Sequence, residues 1–148
     1  MSELRELYQE MILDHGRHPR NFGVLPHANY HKEGFNPLCG DKISLYLCEK
    51  AGVVEDVGFD GCGCAISMAS ASLMTEAIKG KTTQEAARLF TDFHVLVTGL
   101  PVEDMTRLGK LVVFSGVAAY PVRVKCAILA WHVLQALLKN DAATVSTE

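Results

Sequence analysis

The stretch Gly61-Cys62-Gly63-Cys64-Ala65-Ile66-Ser67 divides the chain into two kinds of sequence. Before it, Ile43, Leu45 and Leu47 alternate with Ser44, Tyr46 and Cys48, and Val53 to Phe59 is β-rich after the turn at Ala51-Gly52. Alternation with period two marks a strand with one buried face. An earlier strand is expected around Val24 to Lys32. After the divide, Ala65 to Lys79 is dense in Ala, Ser, Met and Leu, with Gly80 where a helix C-terminal cap belongs. Thr82 and Glu85 form a capping box, and Ala86, Leu89, Phe90 and Phe93 continue at helical spacing. Gly99-Leu100-Pro101 breaks that helix, and a short helical piece is expected from about Glu103 to Phe114. Pro121 suits the first turn of a last helix reaching about Lys139. At the other end, Leu4, Leu7, Tyr8, Met11 and Ile12 predict a first helix ending near Asp14-His15-Gly16. Strands in one block and helices in another give an α+β class, a small antiparallel sheet of about three strands covered by helices.

The 148 residues, 49% hydrophobic and 21% charged, suit a single domain over 1–148, with a small, polar tail from about 140 to 148 expected to be disordered. A net charge of −3 provides no basic face for nucleic acid, so that class of partner is excluded. No apolar run reads as a bilayer span, and the acidic, amphipathic start Met1-Ser2-Glu3-Leu4-Arg5-Glu6 does not read as a secretory signal. The expected setting is cytoplasmic and reducing, away from any membrane. There, five cysteines are read as metal ligands or reactive thiols rather than disulfides.

Three of the thiols lie in suggestive places. Cys39 sits in the Pro/Gly loop Asn36-Pro37-Leu38-Cys39-Gly40-Asp41, with Asp41 near enough to share an ion. Cys64 falls at a helix start, where unpaired N–H groups and the helix dipole favour thiolate. Cys126 falls in the second turn of the last helix, with Arg123 one turn earlier and Lys125 adjacent to offset negative charge. Three thiolates and a carboxylate would suit zinc or an iron–sulfur cluster. The spacings match no short zinc-finger pattern, so on these grounds two readings stand: one metal site, or scattered structural cysteines. Cys48 reads as strand packing and Trp131 as core. His15, His18, His27, His31, His94 and His132 are scattered, and none reads as a ligand. Cys62 reads as a tolerated loop residue. Alternatives from other classes are a thiol oxidoreductase built on Cys62-Gly63-Cys64 and a structural zinc module. A cysteine hydrolase is discarded for want of a histidine in a credible relation to any thiol.

The same residues carry a resemblance. Asp14-His15 with Pro19-Arg20-Asn21-Phe22-Gly23, then Asn36-Pro37-Leu38-Cys39-Gly40-Asp41, then Gly61-Cys62-Gly63-Cys64-Ala65-Ile66-Ser67 running into Ala69-Ser70-Ala71-Ser72, and finally Val124-Lys125-Cys126-Ala127 with Leu129-Ala130-Trp131, resemble in order the motifs of the IscU-like proteins, the NifU amino-terminal family. Lys125 stands where IscU members place a histidine. The segment from Thr82 to Gly99 lengthens the gap between Cys64 and Cys126, and no Leu-Pro-Pro-Val-Lys chaperone motif is present. The resemblance is therefore to the SufU branch. It implies iron–sulfur cluster assembly: a zinc-dependent acceptor of persulfide sulfur from a SufS-like cysteine desulfurase, or else a scaffold that builds a [2Fe-2S] cluster. Its enzymatic content is at most a sulfurtransferase step. The ligands it implies are Cys39, Asp41, Cys64 and Cys126 around Zn²⁺, with iron or a [2Fe-2S] cluster on the three cysteines as the alternative. Cys39, on its loop, is expected to accept the sulfur, with Arg123 a candidate for site support. Downstream partners would be a cluster scaffold or apo-proteins.

Overall fold

The computed structural model describes residues 2–37, 40–139 and 145–146. Strands β1 (Tyr30–Asn36), β2 (Asp41–Lys50) and β3 (Val53–Cys62) form an antiparallel meander. Around it lie helices α1 (Ser2–Arg17), α2 (Ala65–Ile78), α3 (Thr83–Val97) and α4 (Pro121–Leu138). The expected helical piece before α4 is present as two 3-10 segments, Met105–Arg107 and Gly109–Ala119. A two-residue strand, β4 (Val145–Ser146), pairs in parallel with Gly34 and Phe35 of β1. The sheet order is β3-β2-β1-β4, so these two residues join the sheet where a disordered tail was expected.

The expected strand at Val24 to Lys32 lies further along. Val24 is exposed on a loop, and β1 runs Tyr30–Asn36 with Lys32, Gly34 and Asn36 facing inward and Phe35 outward. Its inward face is polar, so alternation of apolar residues does not reveal it. In β2 the alternation is faithful. Ile43, Leu45 and Leu47 are buried, and α4 packs over β1 and β2 while α2 packs over β3.

Trp131 of α4 is fully buried, stacks on Phe93 of α3 at 4.6 Å between ring centroids, and donates its indole N–H to Ser70 Oγ of α2 at 3.2 Å. Ser70 in turn donates to the Ala127 carbonyl at 2.5 Å. Three helices thus share one knot of packing beneath the sheet. By length and hydropathy alone Pro121–Leu138 is apolar enough to cross a bilayer, contrary to the expectation that no run would be. Its residues Cys126 to Trp131, with Val133, Leu134 and Leu137, are buried against protein, which marks a core helix.

The N-terminal motif acts as a clamp. Gly23 N–H donates to the Phe59 carbonyl at 2.6 Å and Phe59 N–H to the Asn21 carbonyl at 3.0 Å, covering the outer edge of β3. Asn21 Nδ2 donates to Thr75 Oγ1, and the Arg20 backbone N–H donates to Ser72 Oγ at 2.8 Å. His15 is buried, with Nδ1 at 2.7 Å from the same Ser72 hydroxyl. The motif thereby fixes α1 and its following loop to α2.

Candidate metal centre

The register of the sheet gathers the candidate residues at one end of it. Asn36, the last residue of β1, pairs with Asp41, the first of β2, and Gly40 N–H closes the intervening turn by donating to the Asn36 carbonyl at 2.9 Å. Lys42 pairs with Cys62, which draws the end of β3 alongside the start of β2 and delivers Cys64 to the same corner. Cys64 is the N-cap of α2. Its extended backbone (φ −71°, ψ 166°) turns the sulfur back over the helix end, where it accepts the Ser67 N–H at 3.4 Å. Cap positions favour side chains that accept from N2 or N3, and a thiolate gains further from the dipole there. Cys126, 1% exposed, reaches the corner from α4. A carboxylate oxygen of Asp41 and the sulfurs of Cys64 and Cys126 all lie within 4.8 Å of one another.

Asp41 ties the corner together. Its Oδ1 accepts the Cys64 backbone N–H at 2.9 Å, and its Oδ2 lies 3.8 Å from the Cys64 sulfur. Two glycines make room for this. A Cβ at Gly63 would fall 2.5 Å from Asp41 Oδ1, and one at Gly61 would fall 2.0 Å from the Lys42 carbonyl oxygen, with φ at +145° besides. The alternation Gly61-Cys62-Gly63-Cys64 is thus what lets the strand end, the carboxylate and the helix start approach so closely.

The donor set fits a tetrahedral zinc. With Zn–S near 2.3 Å, two sulfurs on one ion stand ~3.8 Å apart, and the three donors are spread only slightly wider than that. A fourth position is left for another ligand, and the two thiolates are of the soft type that zinc and iron–sulfur clusters take. Cys39, expected as a ligand and as the sulfur acceptor, lies outside the described residues. Arg123, expected as site support, is exposed on the first turn of α4. It borders a cleft of about 430 Å³ with Arg5, Tyr8, Ile12, Ile66 and Tyr120. Cys62 is exposed at the end of β3 and is not among the converging donors. His132 packs edge-on against Phe90, with its centroid 5.4 Å away.

Two residues at the corner carried no role in the sequence reading. Asn36 is fully buried and points Nδ2 at the Cys126 sulfur, 4.0 Å away. The signal was its place at the head of the Asn36-Pro37-Leu38-Cys39-Gly40-Asp41 motif. Ser67, 1% exposed, lies one turn along α2 from Cys64, and nothing in the sequence distinguished it from the other serines of that helix.

Comparison with known proteins agrees with this geometry. Residues 7–127 match the model of the NifU-like N terminal domain. The chain is 42% identical to the zinc-dependent sulfurtransferase SufU of Bacillus subtilis, over 90% of this chain and 90% of that protein. It is 38% identical to the iron–sulfur cluster assembly scaffold protein IscU of Streptococcus pyogenes, over 96% of this chain and 89% of that one. Among solved structures, a proposed cluster assembly scaffold of the SUF system from Fervidobacterium islandicum superposes with a TM-score of 0.85 at 38% identity, covering 90% of this chain and 97% of that chain. With that breadth of match, and with the three motifs folded to a single corner, the chain belongs to the NifU-like N-terminal family, that of the SufU and IscU proteins of iron–sulfur cluster assembly.

Proposed function

We propose that this chain accepts persulfide sulfur from a cysteine desulfurase on Cys39, beside a zinc held by Cys39, Asp41, Cys64 and Cys126. The observation that carries the proposal is the convergence of Asp41, Cys64 and Cys126 donors within 4.8 Å at the corner where the Cys39 loop begins and ends. The 42% identity to a zinc-dependent sulfurtransferase, taken with Lys125 before the third cysteine, favours this over a scaffold role. When bound, zinc would hold the thiols deprotonated and shield them from oxidation.

The chain's own part in the transfer follows from which ligand can leave. Cys64 caps α2 and Cys126 is built into α4, whereas Cys39 belongs to a Pro/Gly turn. Cys39 as thiolate attacks the outer sulfur of the donor's Cys–S–SH. The S–S bond to the donor breaks, the donor cysteine leaves as thiolate, and Cys39 retains the sulfur as a persulfide. No oxidant or reductant is consumed. Asp41, anchored by the Cys64 N–H, would hold its place while Cys39 reacts. Arg123 would offset the negative charge of the arriving persulfide.

The second reading is a [2Fe-2S] scaffold, favoured by the similarity to IscU over 96% of the chain. One experiment separates them: metal and acid-labile sulfide are measured in the purified protein, then again after adding desulfurase and cysteine, with and without iron. About one zinc per chain, no labile sulfide, and faster desulfurase turnover that Cys39→Ala abolishes are expected. A stable cluster that passes to an apo-protein would favour the scaffold. Neither metal nor response to desulfurase would refute both.

A further inference from the structure

Helix α2 carries four buried hydroxyl residues, and three of them are accounted for. Ser70 donates to Ala127 and accepts from Trp131, Ser72 accepts from the Arg20 N–H and is paired with His15 Nδ1, and Thr75 donates to the Ser72 carbonyl. The fourth, Ser67, is 1% exposed, and its Oγ has no hydrogen-bond partner among the described residues. A buried hydroxyl left unpaired costs free energy that an alanine in its place would not. A helical serine ordinarily relieves that cost by bonding the carbonyl one turn back, and this one does not.

Its position suggests what the hydroxyl is for. Ser67 stands three residues after Cys64 and three before Ser70, so it neighbours each of them along a stripe that winds around α2. One end of that stripe is the Cys64 sulfur, which already accepts the Ser67 backbone N–H. The other end touches α4 at Ala127, the residue after Cys126. Ser67 therefore lies on the part of α2 that runs from the Cys64 sulfur toward the α4 residue next to Cys126. It offers one O–H donor to a region whose natural acceptors are thiolates.

We propose that Ser67 is a positioning residue of the metal centre: its hydroxyl donates a hydrogen bond to a thiolate sulfur, of Cys64 or Cys126, when the site is loaded. The proposal rests on the zinc reading given above. The bond draws electron density from the sulfur, fixes its direction, and relieves the unpaired hydroxyl only in the loaded state. Loading is thus coupled to the one unsatisfied buried side-chain hydroxyl of α2. Hydrogen bonds from residues around a metal's own ligands typically change affinity by ten- to a hundred-fold.

The test compares wild type, Ser67→Ala and Ser67→Thr as full chains. Zinc affinity is measured by competition with a chromogenic chelator, the metal-free form is melted, and the cobalt-substituted form is examined for its sulfur-to-metal charge-transfer band. For Ser67→Ala the expected results are a loss of affinity of about ten- to a hundred-fold, a charge-transfer band moved to lower energy, and a metal-free Tm equal to or above wild type. Ser67→Thr, which keeps the hydroxyl, should recover most of the affinity and the wild-type band. The inference is overturned if Ser67→Ala binds zinc as wild type does. It is also overturned if its metal-free form loses stability in step with affinity, since that is an ordinary structural role. Failure of the wild type itself to bind zinc or cobalt would instead remove the zinc reading, and this inference with it.

Discussion

Replacing Gly63 by alanine tests whether the corner depends on the close approach of backbone and carboxylate. Gly63 is not among the glycines with positive φ, so alanine meets no backbone strain there. What it meets is Asp41. The new Cβ would lie 2.5 Å from Oδ1, and ordinary contact begins at 3.4 Å, so the carboxylate must retreat by about 0.9 Å. That stretches its 2.9 Å bond from the Cys64 N–H beyond hydrogen-bond range. Losing a buried bond to a charged acceptor costs about 2 kcal/mol, and at 2–4 °C per kcal/mol for a domain of this size Tm should fall by about 4–8 °C. Zinc affinity should fall as well, because Asp41 supplies one of the three converging donors. The assay is thermal melting of metal-free Gly63→Ala, Asp41→Ala and the double variant, with zinc competition on each. If the Asp41 contact is the cause, Gly63→Ala should cost much less once Asp41 is alanine, leaving a coupling of more than about 1 kcal/mol. Additive costs would refute the reasoning.

Three further outcomes follow from the same structure. Thr82→Ala removes the hydroxyl that accepts the Glu85 N–H at 3.1 Å in the α3 capping box, and should lower stability by about 1 kcal/mol, read as the urea midpoint. Trp131→Phe loses the indole bond to Ser70 and leaves part of a filled core empty. It should cost about 2–3 kcal/mol by the same measurement, with zinc binding retained if the two regions are independent. Acidification should destabilise the protein through His15 and His132. Burial holds each pKa below the usual 6.5, helped by Arg20 beside His15 and by His94 beside His132. The folded chain keeps both neutral while the unfolded chain takes up protons first. The stability they support is therefore present above about pH 6.5 and lost as pH falls from there toward the lowered values. Urea midpoints between about pH 7.5 and 5.5 should decline, and His132→Phe should shallow the slope. A flat profile would contradict this.

How far the fold could be read from sequence differs from residue to residue. Thr82 and Glu85 form the capping box their spacing implied, and Cys64 caps the helix at whose start it was placed, because caps are local interactions fixed by a few neighbours. β2 was legible because its inward residues are apolar. β1 was not, because it buries Lys32 and Asn36 and exposes Phe35, the reverse of what hydrophobic alternation reports. At the site, the motifs named Asp41, Cys64 and Cys126, but periodicity could not bring them together. Their convergence depends on the Asn36–Asp41 and Lys42–Cys62 register pairs and on α4 lying across the sheet, the last two being contacts between residues distant in sequence. Ser67 was invisible for another reason: an unpaired hydroxyl is a property of its surroundings and leaves no mark on composition.

With Cys39 as the sulfur acceptor, as proposed above, the few residues between β1 and β2 would limit how this protein trades sulfur. Only Gly40 separates Cys39 from Asp41, so covalent geometry keeps the two Cα atoms within about 7 Å of each other whatever the turn does. A carrier on a long arm can load at one station and unload at another. A cargo on so short a leash cannot travel, so the stations must come to it. Supplier and customer would then be obliged to use the same berth, one after the other, each blocking it for the other while docked. An excess of an unreactive form of the receiving protein should accordingly slow loading by the supplier as a competitor would, with no second site required.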